Sequence, residues 1–398
     1  MQKALYGSLV WILATLFVVY SFSLNTAAAV FSASIKTSFG INNLGVTLAL
    51  AAFIVGFACM QIPAGYLLDR FNARYVMSSG VFILSLGSLL ISFSDNLFLF
   101  AIANFAQGIG ASFAFIGAGK LISQWFAPNM FPILFGITEA ISCIGAGILH
   151  SVFVMELHNH SWNTIYQALA VFGFILFILT IIVVKSPASE MKANQTISLI
   201  DSLKTVCKNS QLWLCALTAA TSFGVLLVYA SFWYMPIQEF YSVVQTQALI
   251  ISGMVFVGIG IGLPFLSWLS NRMQSRKLIL HVSLVVGAMT VLLGIYLPHY
   301  QINTLIIIKI VSFLIGFSLS GSMLLFTVVS ELSSDSTRGV ALGIINSSVF
   351  LFNTFLMFIP LLFMTAFSQT FLTYLWVLPF CILIAILFLY FIKETYQS

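Results

Sequence analysis

The stretch Gly65-Tyr66-Leu67-Leu68-Asp69-Arg70-Phe71-Asn72-Ala73-Arg74 places a carboxylate and guanidinium groups at the join between two long apolar runs. At a second such join, 202 residues on, the chain reads Ser267-Trp268-Leu269-Ser270-Asn271-Arg272-Met273-Gln274-Ser275-Arg276. The shift sets Asn271 on Asp69, Arg272 on Arg70, Arg276 on Arg74 and, upstream, Gly258 on Gly56. Further segments match in the same order. Val19-Tyr20-Ser21-Phe22 corresponds to Val228-Tyr229-Ala230-Ser231 at a shift of 209, and Gly136-Ile137-Thr138-Glu139 to Gly343-Ile344-Ile345-Asn346 at 207. Ordered matches at similar shifts are the mark of a duplicated unit.

Composition says where those units reside. Of the 398 residues 61% are hydrophobic and only 6% charged, and the mean hydropathy is +1.09. A soluble protein of this length could not cover its surface with so few charges. Apolar runs recur along the chain, each able to cross a ~30 Å hydrocarbon core as a helix. The expected spans are 6–31, 46–67, 75–94, 97–121, 131–154, 164–184, 211–234, 247–269, 278–297, 303–328, 339–364 and 372–393. The expected fold is therefore an all-α membrane protein of 12 transmembrane helices. Residues 1–184 form an N-terminal six-helix bundle, 185–210 a cytoplasmic linker and 211–398 a C-terminal six-helix bundle.

Lys3 followed by an apolar run and Thr26-Ala27-Ala28-Ala29 has the outline of a signal peptide. The run continues from about Tyr6 to Phe31, too long for a typical signal core, so the first helix is expected to remain. With the N-terminus inside, the cytoplasmic side collects Lys3, Arg70, Arg74, Lys185, Lys192, Lys204, Lys208, Arg272, Arg276, Lys277, Arg338 and Lys393, which is 12 of the 15 basic residues. That asymmetry fixes orientation with both termini cytoplasmic. It accounts for the net charge of +5 without a nucleic-acid partner. Cys59, Cys143, Cys207, Cys215 and Cys381 form no C-x-x-C pair and read as packing residues, not as a disulfide framework or metal site. His158, His160 and His299 fall in short outer loops, where solvated histidines are the ordinary reading.

The Gly65…Asp69-Arg70…Arg74 loop resembles the signature loop of the major facilitator superfamily, G-x-L-x-D-R-x-x-x-R, and the second loop is similar to a degenerate copy of it. The resemblance covers the whole chain. It implies two pseudo-symmetric six-helix bundles around a cavity that opens alternately to either side. It also implies a gate at Gly65, Asp69, Arg70 and Arg74, with Asn271, Arg272 and Arg276 as its counterpart. Physically, Asp69 ends the second span, where a carboxylate can pair with Arg70, Arg74 or a neighbouring helix terminus. The plainer reading is that Arg70 and Arg74 only anchor topology.

Ionisable groups within spans are costly and face a cavity or a partner. Lys120 and Glu139 lie ~9 and ~12 Å from the cytoplasmic ends of the fourth and fifth spans at 1.5 Å per residue. They could form a structural pair, or Lys120 could bind a substrate carboxylate and Glu139 couple a proton. Lys309, near the outer start of the tenth span, is placed to snorkel. Glu331 and Arg338 flank the following loop and suggest a surface gate contact. In the superfamily the first, seventh and eleventh spans line the cavity. By that likeness Tyr20, Asn25, Tyr229, Trp233, Tyr234 and Asn346 are candidate substrate contacts, with Asn353 beside them, although a single tyrosine such as Tyr20 serves equally well as packing. Gly108-x-Gly110, Gly117-x-Gly119, Gly145-x-Gly147 and Gly258-x-Gly260-x-Gly262 sit within spans and read as helix-packing surfaces.

No P-loop occurs, so the energy source is a proton or other ion gradient, and no cofactor is expected. No cluster of His, Asp or Ser chemistry suggests an enzyme. Asn104 occupies the place where drug/proton antiporters usually carry Arg, and Gly136 to Gly147 contains no Pro. The arginines on which organic-phosphate and nitrate carriers rely are absent, as is the E-x-x-E-R motif of proton–oligopeptide carriers. Lys120…Trp125-Phe126 followed by Gly136 and Gly145-Ala146-Gly147 is similar to bacterial organic-anion carriers and to the group that includes lysosomal dipeptide carriers. The resemblance implies a monomeric secondary transporter of a bacterial inner membrane. Its cargo would be a small carboxylate-bearing solute such as an organic acid, amino acid, dipeptide or carboxylate siderophore, taken up with protons. Efflux of drugs or metabolites by proton antiport, or a non-transporting receptor on the same fold, are the alternatives.

Overall fold

A computed structural model describes residues 2–185, 198–230, 237, 245–297, 305–366 and 375–396. Trp233, Tyr234, His299, Glu190 and Lys192 lie outside the described residues. The described residues are almost all helical and contain no strand. In chain order the helices are α1 (Gln2–Val30), α2 (Ser32–Phe39), α3 (Asn43–Arg70), α4 (Ala73–Ser92), α5 (Leu97–Trp125), α6 (Phe131–Glu156), α7 (Trp162–Val183), α8 (Leu199–Cys207), α9 (Ser210–Val228), α10 (Gln245–Arg272), α11 (Arg276–Tyr296), α12 (Leu305–Leu319), α13 (Leu324–Leu332), α14 (Arg338–Ala366) and α15 (Val377–Phe391). A short 3-10 turn, Ser320–Met323, joins α12 to α13 into one membrane-length rod. Among the described residues there are 11 segments long and apolar enough to cross a membrane, and α15 adds a shorter apolar helix. Each of the expected spans thus has its helix.

Local chemistry starts and stops these helices. Asn42, Asn72, Asn96, Ser161, Asn209 and Ser275 stand at the N-caps of α3, α4, α5, α7, α9 and α11, each accepting a bond from a first-turn amide. Side-chain caps of this kind satisfy donors that a helix start would otherwise leave open. Inside the spans, buried hydroxyls turn back on their own helix: Ser85 donates to Val81 O at 2.7 Å, Thr138 to Leu134 O at 2.9 Å and Thr180 to Leu176 O at 2.7 Å. No polar hydrogen need face lipid at these positions.

The chain divides into compact units that interleave. The first holds Met1–Phe131, Ile141–Lys204 and Ser334–Gly343, and the second Pro132–Ala140, Thr205–Ser333 and Ile344–Ser398. Within the first, α5 packs on α3 and α4, and α4 on α7; within the second, α12 packs on α10 and α11, and α15 on α9 and α11. The tightest crossings recur in both. A Cβ on Gly56 would strike Phe105 O, and one on Gly108 would strike Phe53 O and come within 2.7 Å of Phe57 N. In the second unit a Cβ on Gly258 would strike Phe313 O, and one on Gly316 would strike Val255 O and reach 3.0 Å from Ile259 N. Gly56 and Gly258, Phe53 and Val255, and Phe57 and Ile259 each differ by the 202 positions read from the loops. The duplication therefore extends to backbone contacts that only glycine permits.

Replacing Gly108 or Gly316 by Leu should force these helices apart, at a cost of ~1–3 kcal/mol or more. Gly147, where a Cβ would meet nothing within 4 Å, should accept Ala. Thermal midpoints of purified protein check this: the Leu variants should melt several degrees lower or fail to yield monodisperse protein, with Gly147→Ala unchanged.

Candidate functional site

Asp69 ends α3 with its side chain only 3% exposed. Its Oδ1 accepts from the backbone N–H of Gly339 at 2.9 Å and its Oδ2 from that of Val340 at 3.1 Å. Both amides belong to the first turn of α14, where no intrahelical acceptor exists and the helix dipole favours an anion. The carboxylate is thus a two-handed cap on a helix from the other half of the sequence. The same surroundings explain Gly65: a Cβ there would collide with Gly339 O, and one on Gly339 would collide with Gly65 O. Farther along, a Cβ on Gly343 would reach 2.7 Å from Gln61 O. Glycines at this crossing let the two backbones close until the carboxylate meets the amides.

Lys120, on α5, completes the arrangement. Its Nζ lies 3.5 Å from Asp69 Oδ1 and donates to Asp335 O at 3.1 Å, and its side chain is 8% exposed. A buried ammonium needs such partners. The cation thus sits with Asp69 inside the first unit, while Glu139 belongs to the second unit's segment Pro132–Ala140. Glu139 is buried at 3% exposure. Arg70 turns to Tyr66, donating to its hydroxyl and lying over the Tyr66 and Phe71 rings. Arg74 lies over the Tyr75 ring, 5.7 Å from its centroid. Of the possible partners for Asp69, the helix terminus is the one engaged.

The second copy of the loop is wired differently. Asn271 accepts from Arg276 Nη1 at 2.6 Å, and Arg276 also donates to Ser270 Oγ and, through Nε and Nη2, to Glu331 Oε1 at 3.2 and 2.9 Å. Arg272 lies over the Trp268 ring. Arg338 pairs with Asp335 at 2.8 Å.

Tyr20 is buried, donates to Leu169 O at 2.9 Å and lies 3.3 Å from Ser88 Oγ, which also accepts from Gln107. A Cβ on Gly173 would collide with the Tyr20 hydroxyl. Tyr229, its repeat partner, is equally buried, and a Cβ on Gly294 would lie 2.9 Å from its hydroxyl. Both tyrosines are built into the interiors of their own units. Asn25 is exposed on α1, and Asn346 and Asn353 are buried on α14. Lys309 is part-buried near the start of α12. No group of three or more metal-binding side chains is found among the described residues. That Asp69 could meet a helix terminus was legible in the sequence; that the terminus is the head of α14 was not.

A double-mutant cycle on Asp69→Asn and Lys120→Met tests this geometry. Lys120→Met alone leaves a buried carboxylate with only the helix terminus and should cost ~3–5 kcal/mol. Adding Asp69→Asn should recover part of it, giving a coupling of ~1–3 kcal/mol in chemical or thermal unfolding.

A family model described as Major Facilitator Superfamily matches residues 13–351. The chain is 23% identical over 193 residues to the probable galactarate/D-glucarate transporter GudP of Escherichia coli, covering 46% of this chain and 43% of the relative. It is 23% identical over 156 residues to the multidrug resistance protein MdtL of Shewanella oneidensis, covering 39% of each. The chain therefore spans less than half the length of these curated relatives. Among solved structures, the proton:xylose symporter XylE superposes with a TM-score of 0.77 at 16% identity, over 99% of this chain and 97% of that one. The fucose:proton symporter FucP of E. coli gives 0.76 at 16% identity over 100% of each chain. The loop, the duplicated helical units and the matched family model together place this chain in the major facilitator superfamily.

Proposed function

We propose that the chain is a secondary active transporter that takes up a small carboxylate-bearing solute together with protons, by alternating access. The observation that carries the reading is the Asp69 carboxylate seated on the first amides of α14. It joins α3 to the head of α14, a helix from the other half of the sequence, through bonds that a change of a few kcal/mol can make or break. Its release would free Ser334–Gly343 from the first unit and let the basic side of the protein open. Gly65, Arg70 and Arg74 serve this latch, and Lys120 belongs to it as well, because its ammonium is committed to Asp69 and Asp335. Glu139 is the candidate for proton coupling, as a carboxylate buried within a membrane-spanning helix. Both termini are assigned to the cytoplasm by the distribution of Lys and Arg.

The carboxylate-bearing cargo is supported by relatives named for sugar acids and related anions: galactarate/D-glucarate, L-galactonate and sulfoacetate. A second reading, efflux of drugs by proton antiport, is favoured by the similarity to MdtL. Purified protein in proteoliposomes separates the two. With a pH gradient, acid outside, sugar acids or other small carboxylates should accumulate inside above their external level; expulsion of lipophilic cations without carboxylate uptake would support efflux instead, and no flux at all would favour a receptor. Asp69→Asn should insert normally yet transport about tenfold more slowly or worse. Glu139→Gln should retain exchange of internal for external solute while losing accumulation driven by the pH gradient; full accumulation would remove Glu139 as the coupling group.

A further inference from the structure

The two copies of the signature loop differ in one chemical respect: the first offers a carboxylate, Asp69, where the second offers an amide, Asn271. An amide carries no charge with which to hold a helix terminus. Around the second loop the carboxylate comes instead from the end of the chain. Glu394 Oε1 accepts from Arg276 N at 2.9 Å, and Oε2 accepts from Lys277 N at 3.0 Å and from Ser275 Oγ at 2.5 Å. These are the cap and the first amides of α11, so Glu394 does for α11 what Asp69 does for α14.

The neighbouring residues fasten the same segment. Thr395 Oγ1 donates to Glu331 Oε2 at 2.5 Å, and the Tyr396 ring lies 4.9 Å from the Arg276 guanidinium carbon. Gln211 receives Lys393 N at 2.8 Å and donates to Phe391 O at 3.2 Å, while Lys277 Nζ donates to Tyr390 O at 2.7 Å. Every one of these residues belongs to the second unit. Asp69, by contrast, reaches a segment from the opposite half of the sequence.

We infer that Lys393–Tyr396 is a permanent clasp that closes the second loop onto its own unit, leaving the first loop as the only one of the pair that works as a switch. The contrast with a switch rests on the latch reading of Asp69; the clasp itself does not. Burial pushes the Glu394 carboxyl up, but hydrogen bonds from Ser275, Arg276, Tyr396 and Lys277 outweigh it and hold it at about 2. Arg276 and Lys277 add positive charge, and Glu331 is itself engaged by Arg276 and Thr395. The clasp is therefore ionised at any pH at which the cell lives.

Hydrogen exchange on the full-length protein tests the inference through the peptide covering residues 275–278. In Glu394→Gln the amides of Arg276 and Lys277 should exchange about tenfold faster, as a helix start does on losing a charged cap. A chain ending at Ile392 should show the same rise, and it guards against a glutamine that keeps the bonds. Asp69→Asn, which disturbs the other loop, should leave this peptide unchanged. Wild-type exchange in both tail variants would overturn the clasp. Faster exchange of 275–278 in Asp69→Asn would overturn its independence from the first loop.

Discussion

Two backbone N–H groups at the head of α14 have no acceptor within their helix, and a carboxylate buried at the end of α3 has no water to solvate it. Each problem is the solution of the other. The Asp69–Gly339–Val340 cap, with Lys120 supplying the balancing charge, makes Ser334–Gly343 part of the first unit although the rest of the second half folds elsewhere. Low-dielectric surroundings strengthen such charge-assisted bonds and make their loss costly. The gate proposed for this loop would work by making and breaking this contact.

The cap is possible only because the backbones approach so closely. Gly65 and Gly339 admit no side chain between them, and the same economy of glycine holds α3 to α5 and α10 to α12. Where the units are internally rigid, contacts are glycine against carbonyl, repeated with the register of the duplication. Where the halves of the sequence meet in the first unit, the same glycine crossing is joined to an ionic cap. The fold itself superposes on those of XylE and FucP over nearly the whole chain.

Much of this was legible in the sequence, and the rest failed for specific reasons. Apolar runs gave the spans because every membrane helix must satisfy its own backbone and face lipid with apolar side chains. The repeat showed in the loops because only 6% of the chain is charged, so charges that recur at a fixed shift carry information. Asp69 was legible as the partner of a helix terminus, but not of which one, since Gly339 lies 270 positions away and nothing local encodes so distant a contact. Lys120 was legible as a costly buried cation, but its contacts with Asp69 and Asp335 were not, because depth along a helix does not specify azimuth. Tyr20 and Tyr229 were legible as polar groups within spans, but an aromatic hydroxyl there looks alike whether it packs or lines a cavity. Glu394 was passed over as part of a polar chain end, where composition alone carries no sign of a docked carboxylate.

The central claim is that the Asp69 carboxylate holds the head of α14 closed. Val340, fully buried beside the cap, reports on it directly when replaced by Cys in a background freed of the native cysteines. The rate of its labelling by a membrane-impermeant maleimide is the measurement. It should be slow with Asp69 present and at least about tenfold faster in Asp69→Asn. Equal rates in the two proteins would contradict the account.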